Sequence, residues 1–419
     1  MPMPEYDVSP VRHVSGVSDV ATQNPARGPA VRLDSRDKPL HAASEVLAKR
    51  RFHYKRPQRT AIIHYWLVGM RGGERVLEQL LKMFPDADIF THVYNPDAVS
   101  DVIRRHKVHT TFIQKMPGSI RHYQRYLPLM PMALEQLDLR GYDLIISSES
   151  GPSKGVIVPP GANHICYCHS PMRYIWDQYP DYLRYAGRAT RFAMPWLTHF
   201  LRSWDFASSA RVDHFIANST FVQRRIQKSY RRDSALVHPP VDTSLFHSSD
   251  EVSDRYLWVG QLTGYKRPDI AVEAFNKLGL PLLMVGDGAL MRELKAKAKP
   301  NVTIAPRLGF DELRHAYATC RGLIFTAEED FGMVPVEVMA SGRPVLAYGV
   351  GGCRDTVIPG VNGLFFHEQT VDSLIEGVAQ FEAWVPEFNP QDAIRSAERF
   401  APERFEEGIR AAVRAVADL

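Results

Sequence analysis

Short apolar runs alternate with helical stretches along most of this chain, in two series. The first opens with "RTAIIHYWLV", a buried-strand run, then the glycine loop "GMRGGER" and the helix "RVLEQLLKMF". "ADIFTHVY", "YDLIISSES", "KGVIVP" and "HICYCHS" read as further short strands, and "DHFIANS" as another, with "TFVQRRIQKSY" as its helix. "ALVHPPVDTSLF" then interrupts with two prolines, as a linker does. The second series runs "RYLWVGQL", "RPDIAVEAFNKLG", "PLLMVGDG", "ALMRELKAKAK", "NVTIAP", "FDELRHAYATC", "GLIFTA", "VPVEVMASG" and "PVLAYG", strand and helix in turn. Strands separated by helices form parallel sheets with helices on both faces. The expected fold is α/β: two Rossmann-like domains whose parallel sheets face a central cleft, with ligands at the carboxyl ends of the strands.

The expected boundaries follow. Residues 1–56 lack apolar periodicity and read as a disordered extension. Residues 57–240 form the first domain and 241–392 the second. Residues 393–419 hold two closing helices that pack back across the cleft. Of 51 Lys and Arg and 47 Asp and Glu, residues 1–240 hold 33 and 21, a net of +12, and the remainder 18 and 26, a net of −8. A basic first half suits an anionic partner. No nucleic-acid module carries those cations, so an anionic membrane surface or a lipid phosphate is favoured over nucleic acid; a merely solvated basic face is the alternative. No apolar run reaches membrane-spanning length, and no signal-peptide core opens the chain, which points to the cytoplasm. Cys166, Cys168, Cys320 and Cys353 offer one close pair only, too few for a zinc site, and read as buried thiols.

The chemistry concentrates in "EEDFGMVPVEVMASGRPV". Glu329 falls on the loop after a strand and Glu337 one turn into the next helix. Between them the amides of Phe331, Gly332, Met333 and Val334 open a helix, and Pro335 supplies none. Such a helix start binds anions, here with a carboxylate on each side. That arrangement suits a nucleotide sugar: amides for the diphosphate, carboxylates for hydroxyls. A capped helix with favourably placed acids is the plainer alternative. Gly72 and Gly73 sit in a loop before a helix, where backbone can approach phosphate; a tight turn is the other reading. His169 ends a strand, facing the cleft, and Arg173 follows, in reach of an anionic acceptor or the other domain. Asp86 and Asp88 mimic a metal-binding Asp-x-Asp but open a strand, and read as structural. "RATRFAMPWLTHFLRSWDF" mixes Arg188, Arg191 and Arg202 with Phe192, Trp196, Phe200 and Trp204, a composition suited to a membrane interface or to burial against its own domain.

The array E-x7-E with "EDFG", followed by "GRPVLAYGVGG" and "GVNG", resembles retaining glycosyltransferases of family 4. "WVGQLTGYKRPDIAVEAF", "DHFIANST" and "HPPVDTSLF" are similar to that family's diphosphate-binding and interdomain segments, and the likeness covers about residues 59–415. It implies the GT-B fold, with nucleotide sugar mainly on the second domain and acceptor mainly on the first. It places Glu329 near the transferred sugar, Glu337 at the ribose, Lys266 on the diphosphate with Arg267 beside it, and His169 at the donor sugar. Where the family usually has an arginine before the lysine, this chain has Gln261, which brings no charge. The resemblance implies a retaining, metal-independent hexosyltransferase without a cofactor. Its donor would be GDP-mannose before a UDP-sugar, and its acceptor a polyprenyl-diphosphate-linked glycan at the cytoplasmic face of the inner membrane, in surface polysaccharide synthesis. A nucleotide-sugar epimerase of the same fold and a non-catalytic nucleotide-sugar-binding protein are the alternatives. A nicotinamide dehydrogenase is not supported, because "GMRGGE" lacks the required glycine pattern.

Overall fold

The computed structural model describes residues 59–185 and 187–417; the expected extension over residues 1–56 lies outside them. Strands β1 (Thr60–His64), β2 (Asp88–Thr91), β3 (Val108–Thr110), β4 (Leu144–Glu149), β5 (Asn163–Cys168), β6 (His214–Ala217) and β7 (Ala235–Leu236) form one sheet in the order β3-β2-β1-β4-β5-β6-β7. Strands β8 (Tyr256–Val259), β9 (Leu282–Val285), β10 (Val302–Ala305), β11 (Leu323–Phe325), β12 (Val345–Tyr348) and β13 (Gly363–Phe366) form a second, ordered β10-β9-β8-β11-β12-β13. Every pairing in both is parallel. Each sheet therefore reverses its winding at one point, between β1 and β4 and between β8 and β11, and a crevice opens there at the strand ends.

The helices that matter below are α1 (Gly72–Met83), α2 (Tyr179–Tyr185), α3 (Arg188–Ser208), α4 (Thr220–Tyr230), α5 (Pro268–Leu278), α6 (Met291–Lys297), α7 (Phe310–Thr319), α8 (Met333–Ala340), α9 (Val371–Trp384), α10 (Pro390–Ala397) and α11 (Pro402–Ala417). Helix α1 presents Val76, Leu77, Leu80 and Leu81 to one face of the first sheet, where Ile62, Ile89, Leu144 and Ile146 meet them. Helix α11 enters the same core with Phe405, Ile409, Ala412 and Val416, although it follows the whole second sheet in the chain. Helix α10 instead packs on α8 of the second domain, through Ala393 and Ala397.

Two expectations fail here. "KGVIVP" is not a strand: residues 154–159 form a turn and an unpaired extended stretch. Both sheet positions beside β4 are taken, by β1 and β5, so this segment lies outside the sheet. Lys154 within it is wholly buried, its ammonium between Asp205 of α3, with which it pairs, and Glu149, 3.5 Å away. Burial opposes that charge, but the two carboxylates outweigh it and hold the ammonium well above the usual lysine range. The second failure is that Gly72 and Gly73 belong to α1 itself rather than to a loop before it. Glu74 accepts from the Arg71 amide at 2.9 Å, satisfying a group at the helix start and moving that start upstream of the glycines.

Candidate active site

Glu329 leaves β11 on an irregular loop, and Gly332 caps α8 at φ +85°, a conformation in which a side chain would be strained. Among the described residues, the amides of Phe331, Gly332, Met333 and Val334 have no acceptor. The Phe331 ring is buried against His238 and Phe400, so only its backbone is free for a ligand. Lys266, in the turn before α5, reaches Glu329 at 2.5 Å. Burial works against the lysine's charge, yet Glu329 and Tyr265 raise its pKa above the ordinary value. Arg267 turns to Asp269, at 3.0 Å. Gln261 is exposed.

Glu337 is 6% exposed. Its Oε1 accepts from Arg75 Nη1 of α1 at 2.8 Å and its Oε2 from the Tyr317 hydroxyl of α7 at 2.8 Å. The first-domain helix α1 thus grips the second-domain helix α8 beside its free amides. A Cβ on Gly72 would come within 3.1 Å of Met333 Sδ, so the starts of α1 and α8 nearly touch. A Cβ on Gly73 would stand 2.3 Å from the Tyr65 hydroxyl oxygen, so a larger residue there would have to displace that buried ring.

A second bridge lies at Asp330. Arg225 of α4 donates to Asp330 Oδ1 and to Ser170 Oγ (3.2 Å), and also pairs with Asp177 at 2.6 Å. Arg173 approaches Asp330 Oδ2 at 3.3 Å and lies over the Tyr265 ring. The Asp330 carboxylate holds the Arg173 guanidinium above its ordinary pKa, against burial. Of its two foreseen partners, Arg173 meets the other domain. Burial raises Glu328, and Asp177 and Asp330 add to that, while Arg225 opposes it.

His169, half-buried just past β5, accepts or donates through Nε2 at Ser148 Oγ, 2.9 Å away. Burial, with a smaller push from His64, pulls its pKa down to about 3, so the ring is neutral at physiological pH. Asp88 serves structure, accepting from the Tyr142 hydroxyl and approached by His109. Among the described residues no cluster of three His, Cys, Asp or Glu is arranged to hold a metal ion. The residues that sequence reading missed are Arg75, Arg225, Asp330 and Tyr317. Arg225 lay in a basic helix read with the rest of the first half's cations as suited to a membrane or lipid phosphate, or as a solvated face. Tyr317 lay in the expected helix "FDELRHAYATC" and was not singled out. Only Arg75, beside the glycines of "RGGER", carried a local signal.

Two parallel-sheet domains joined in this way, with free amides and paired carboxylates at the strand ends, define the GT-B class of architecture. Residues 70–245 match the model for Glycosyltransferase Family 4, and residues 253–382 that for Glycosyl transferases group 1. An uncharacterized glycosyltransferase of Methanocaldococcus jannaschii is 26% identical over 173 residues, 40% of this chain and 49% of that protein. The D-inositol 3-phosphate glycosyltransferase of Mycobacterium marinum is 29% identical over 200 residues, 41% of this chain and 43% of its own length. The match thus spans about half the length of these curated relatives. The crystal structure of Anabaena HepE with UDP superposes with a TM-score of 0.61 at 16% identity, over 85% of this chain and 100% of that one. Each domain of this chain therefore matches a glycosyltransferase-family model, on a GT-B fold.

Proposed function

We propose that the protein is a retaining hexosyltransferase that moves mannose from GDP-mannose to a lipid-linked glycan acceptor in surface polysaccharide synthesis. One observation carries the transferase reading: four unpaired amides flanked by the Lys266–Glu329 and Arg75–Glu337 pairs, where the two domains meet. Amides and Lys266 suit the diphosphate, and Glu329 and Glu337 the hydroxyls of hexose and ribose. A UDP-hexose is the second reading, favoured because Anabaena HepE was also crystallised with UDP-glucose. GDP-mannose ranks first on the resemblance of "CHSPMRYIWD" alone.

In this reading the anomeric C1–O bond to the diphosphate breaks as the acceptor oxygen bonds C1 on the same face. The acceptor's proton passes to the leaving phosphate oxygen, and a nucleoside diphosphate departs. Positioning and charge stabilisation are then the enzyme's whole contribution. Lys266 pairs with Glu329, and in this scheme the diphosphate takes the place of that carboxylate on the lysine, turning Glu329 to the sugar. No metal or cofactor enters the scheme.

The membrane side of the proposal rests on α3. Phe192 is 80% and Trp196 78% exposed, Phe200 follows one turn on, and the exposed charges of this helix are cationic, with Asp205 buried against Lys154. Exposed aromatics one turn apart beside arginines suit an anionic bilayer surface. No helix among the described residues is long and apolar enough to cross a membrane, so peripheral attachment at the cytoplasmic face is proposed.

The test is incubation with GDP-mannose, UDP-glucose and other nucleotide hexoses, scored for released nucleoside diphosphate with and without polyprenyl-diphosphate glycan. Acceptor-dependent release is expected. Conversion of the donor without acceptor would point to an epimerase, and binding without release to a non-catalytic protein.

A further inference from the structure

A buried polar chain runs beneath His169 that the transfer scheme does not use. Glu74 Oε2 accepts from the Arg71 amide, leaving Oε1 3.7 Å from His64 Nε2. That nitrogen is buried and has no hydrogen-bond partner. On the other side of the ring, His64 Nδ1 lies 3.1 Å from Ser148 Oγ, and Ser148 Oγ lies 2.9 Å from His169 Nε2. His64, Glu74 and Ser148 are all essentially inaccessible, whereas His169 is partly exposed. Gly73 is part of the same construction: its missing Cβ would press on the Tyr65 hydroxyl and stand 3.7 Å from His64 Cε1.

The order of protons along this chain follows from electrostatics. A bare nitrogen lone pair facing a carboxylate in a buried site is repelled, and an N–H is attracted. His64 therefore carries its proton on Nε2, towards Glu74. Its Nδ1 is then an acceptor and takes the Ser148 hydroxyl proton. Ser148 Oγ, having spent its single donor, accepts from His169 Nε2–H. His169 Nδ1 has no partner among the described residues.

We propose that Glu74, His64 and Ser148 are positioning residues that hold the His169 proton on Nε2 and leave Nδ1 as a bare acceptor for one hydroxyl of the donor hexose. The hydroxyl half of this rests on the donor-site reading above; the tautomer half does not. The low basicity of His169 agrees with it, since the ring stays neutral and keeps one lone pair across physiological pH.

The two halves are separable by experiment. Long-range 1H–15N correlation on the full chain, labelled with 15N-histidine and assigned through His64→Gln and His169→Gln, reports each tautomer directly. The expected result is a protonated Nε2 and a lone pair on Nδ1 of His169. Ser148→Ala and Glu74→Gln should each mix the tautomers; the glutamine keeps an oxygen for the Arg71 amide, so α1 retains its cap. A protonated Nδ1 in the unsubstituted protein, or an Nε2 proton indifferent to both substitutions, overturns the proposal. The second arm uses GDP-mannose, UDP-glucose and their monofluoro forms, in which fluorine cannot donate. At one ring position fluorine should lower kcat/KM about tenfold, the worth of a single hydrogen bond, and that penalty should largely vanish in Ser148→Ala. Equal penalties in both proteins would overturn the contact to the hydroxyl. Absence of turnover with either sugar, with the tautomer as expected, would sink the donor reading and leave the relay standing.

Discussion

Lys266 and Glu329 pair with each other, so in the proposed transfer each exchanges that partner for the donor. Replacing either one leaves its partner partly exposed and able to find water, which limits the cost to stability. Lys266→Ala and Glu329→Ala should each lower turnover by about 10²–10³, with unfolding temperatures close to the parent's; initial rates and melting curves check both. Near-parental rates would remove these residues from the chemistry. Both residues were singled out in the sequence, because each stands within a motif of its own strand-to-helix turn, but their pairing was not foreseen. The Arg75–Glu337 contact was not foreseen either, since its partners lie 262 positions apart and neither neighbourhood announces the other. The same holds for Arg225 and Asp330, 105 positions apart. Sequence patterns report local geometry, and a pairing made only when two domains meet leaves no local trace.

Elements were easier to read than contacts. The alternation of apolar runs and helices located the strands of both sheets well, apart from short β3 and β7 and the late β13, because buried parallel strands need continuous apolar residues. "KGVIVP" had that composition and still failed, because sheet membership depends on an empty neighbouring position and not on composition. The stretch around Phe192 left two readings open, burial or an interface, and the helix buries one face while leaving aromatics exposed on others. Leu201 is buried and Leu197 and Trp204 pack beside it, while Phe192 and Trp196 on other faces stand in solvent. Phe192→Ser with Trp196→Ser should therefore weaken cosedimentation with vesicles rich in anionic lipid by roughly tenfold, without moving the unfolding temperature. Unchanged binding, or conversion of a dimer to a monomer by these substitutions, would assign α3 to another partner.

At the scale of the whole molecule, the first domain has a weakness to acid. His92 and His164 are fully buried and neutral, each bonded to a hydroxyl and a backbone carbonyl. Burial lowers both pKa values from 6.5 to about 4. The unfolded chain takes up these protons as pH falls below 6.5 and the folded chain does not until about 4. Their contribution is therefore complete above pH 6.5 and drains away between 6.5 and 4, by roughly 2 kcal/mol apiece at pH 5. Denaturant unfolding followed from pH 7 to pH 5 should show that loss, and His92→Gln should flatten the slope by one proton's share. A stability unchanged over this range would contradict the burial of these rings. The same scale gives α11 its significance. Tyr167 of β5 stacks edgewise on Phe405, and Gln79 of α1 bonds Glu406 at 2.8 Å. During synthesis, the ribosome must deliver an entire second sheet before it releases the helix that seals the first. The nascent amino-terminal half thus waits with part of its apolar interior bare, and chaperones have a defined window in which to find it.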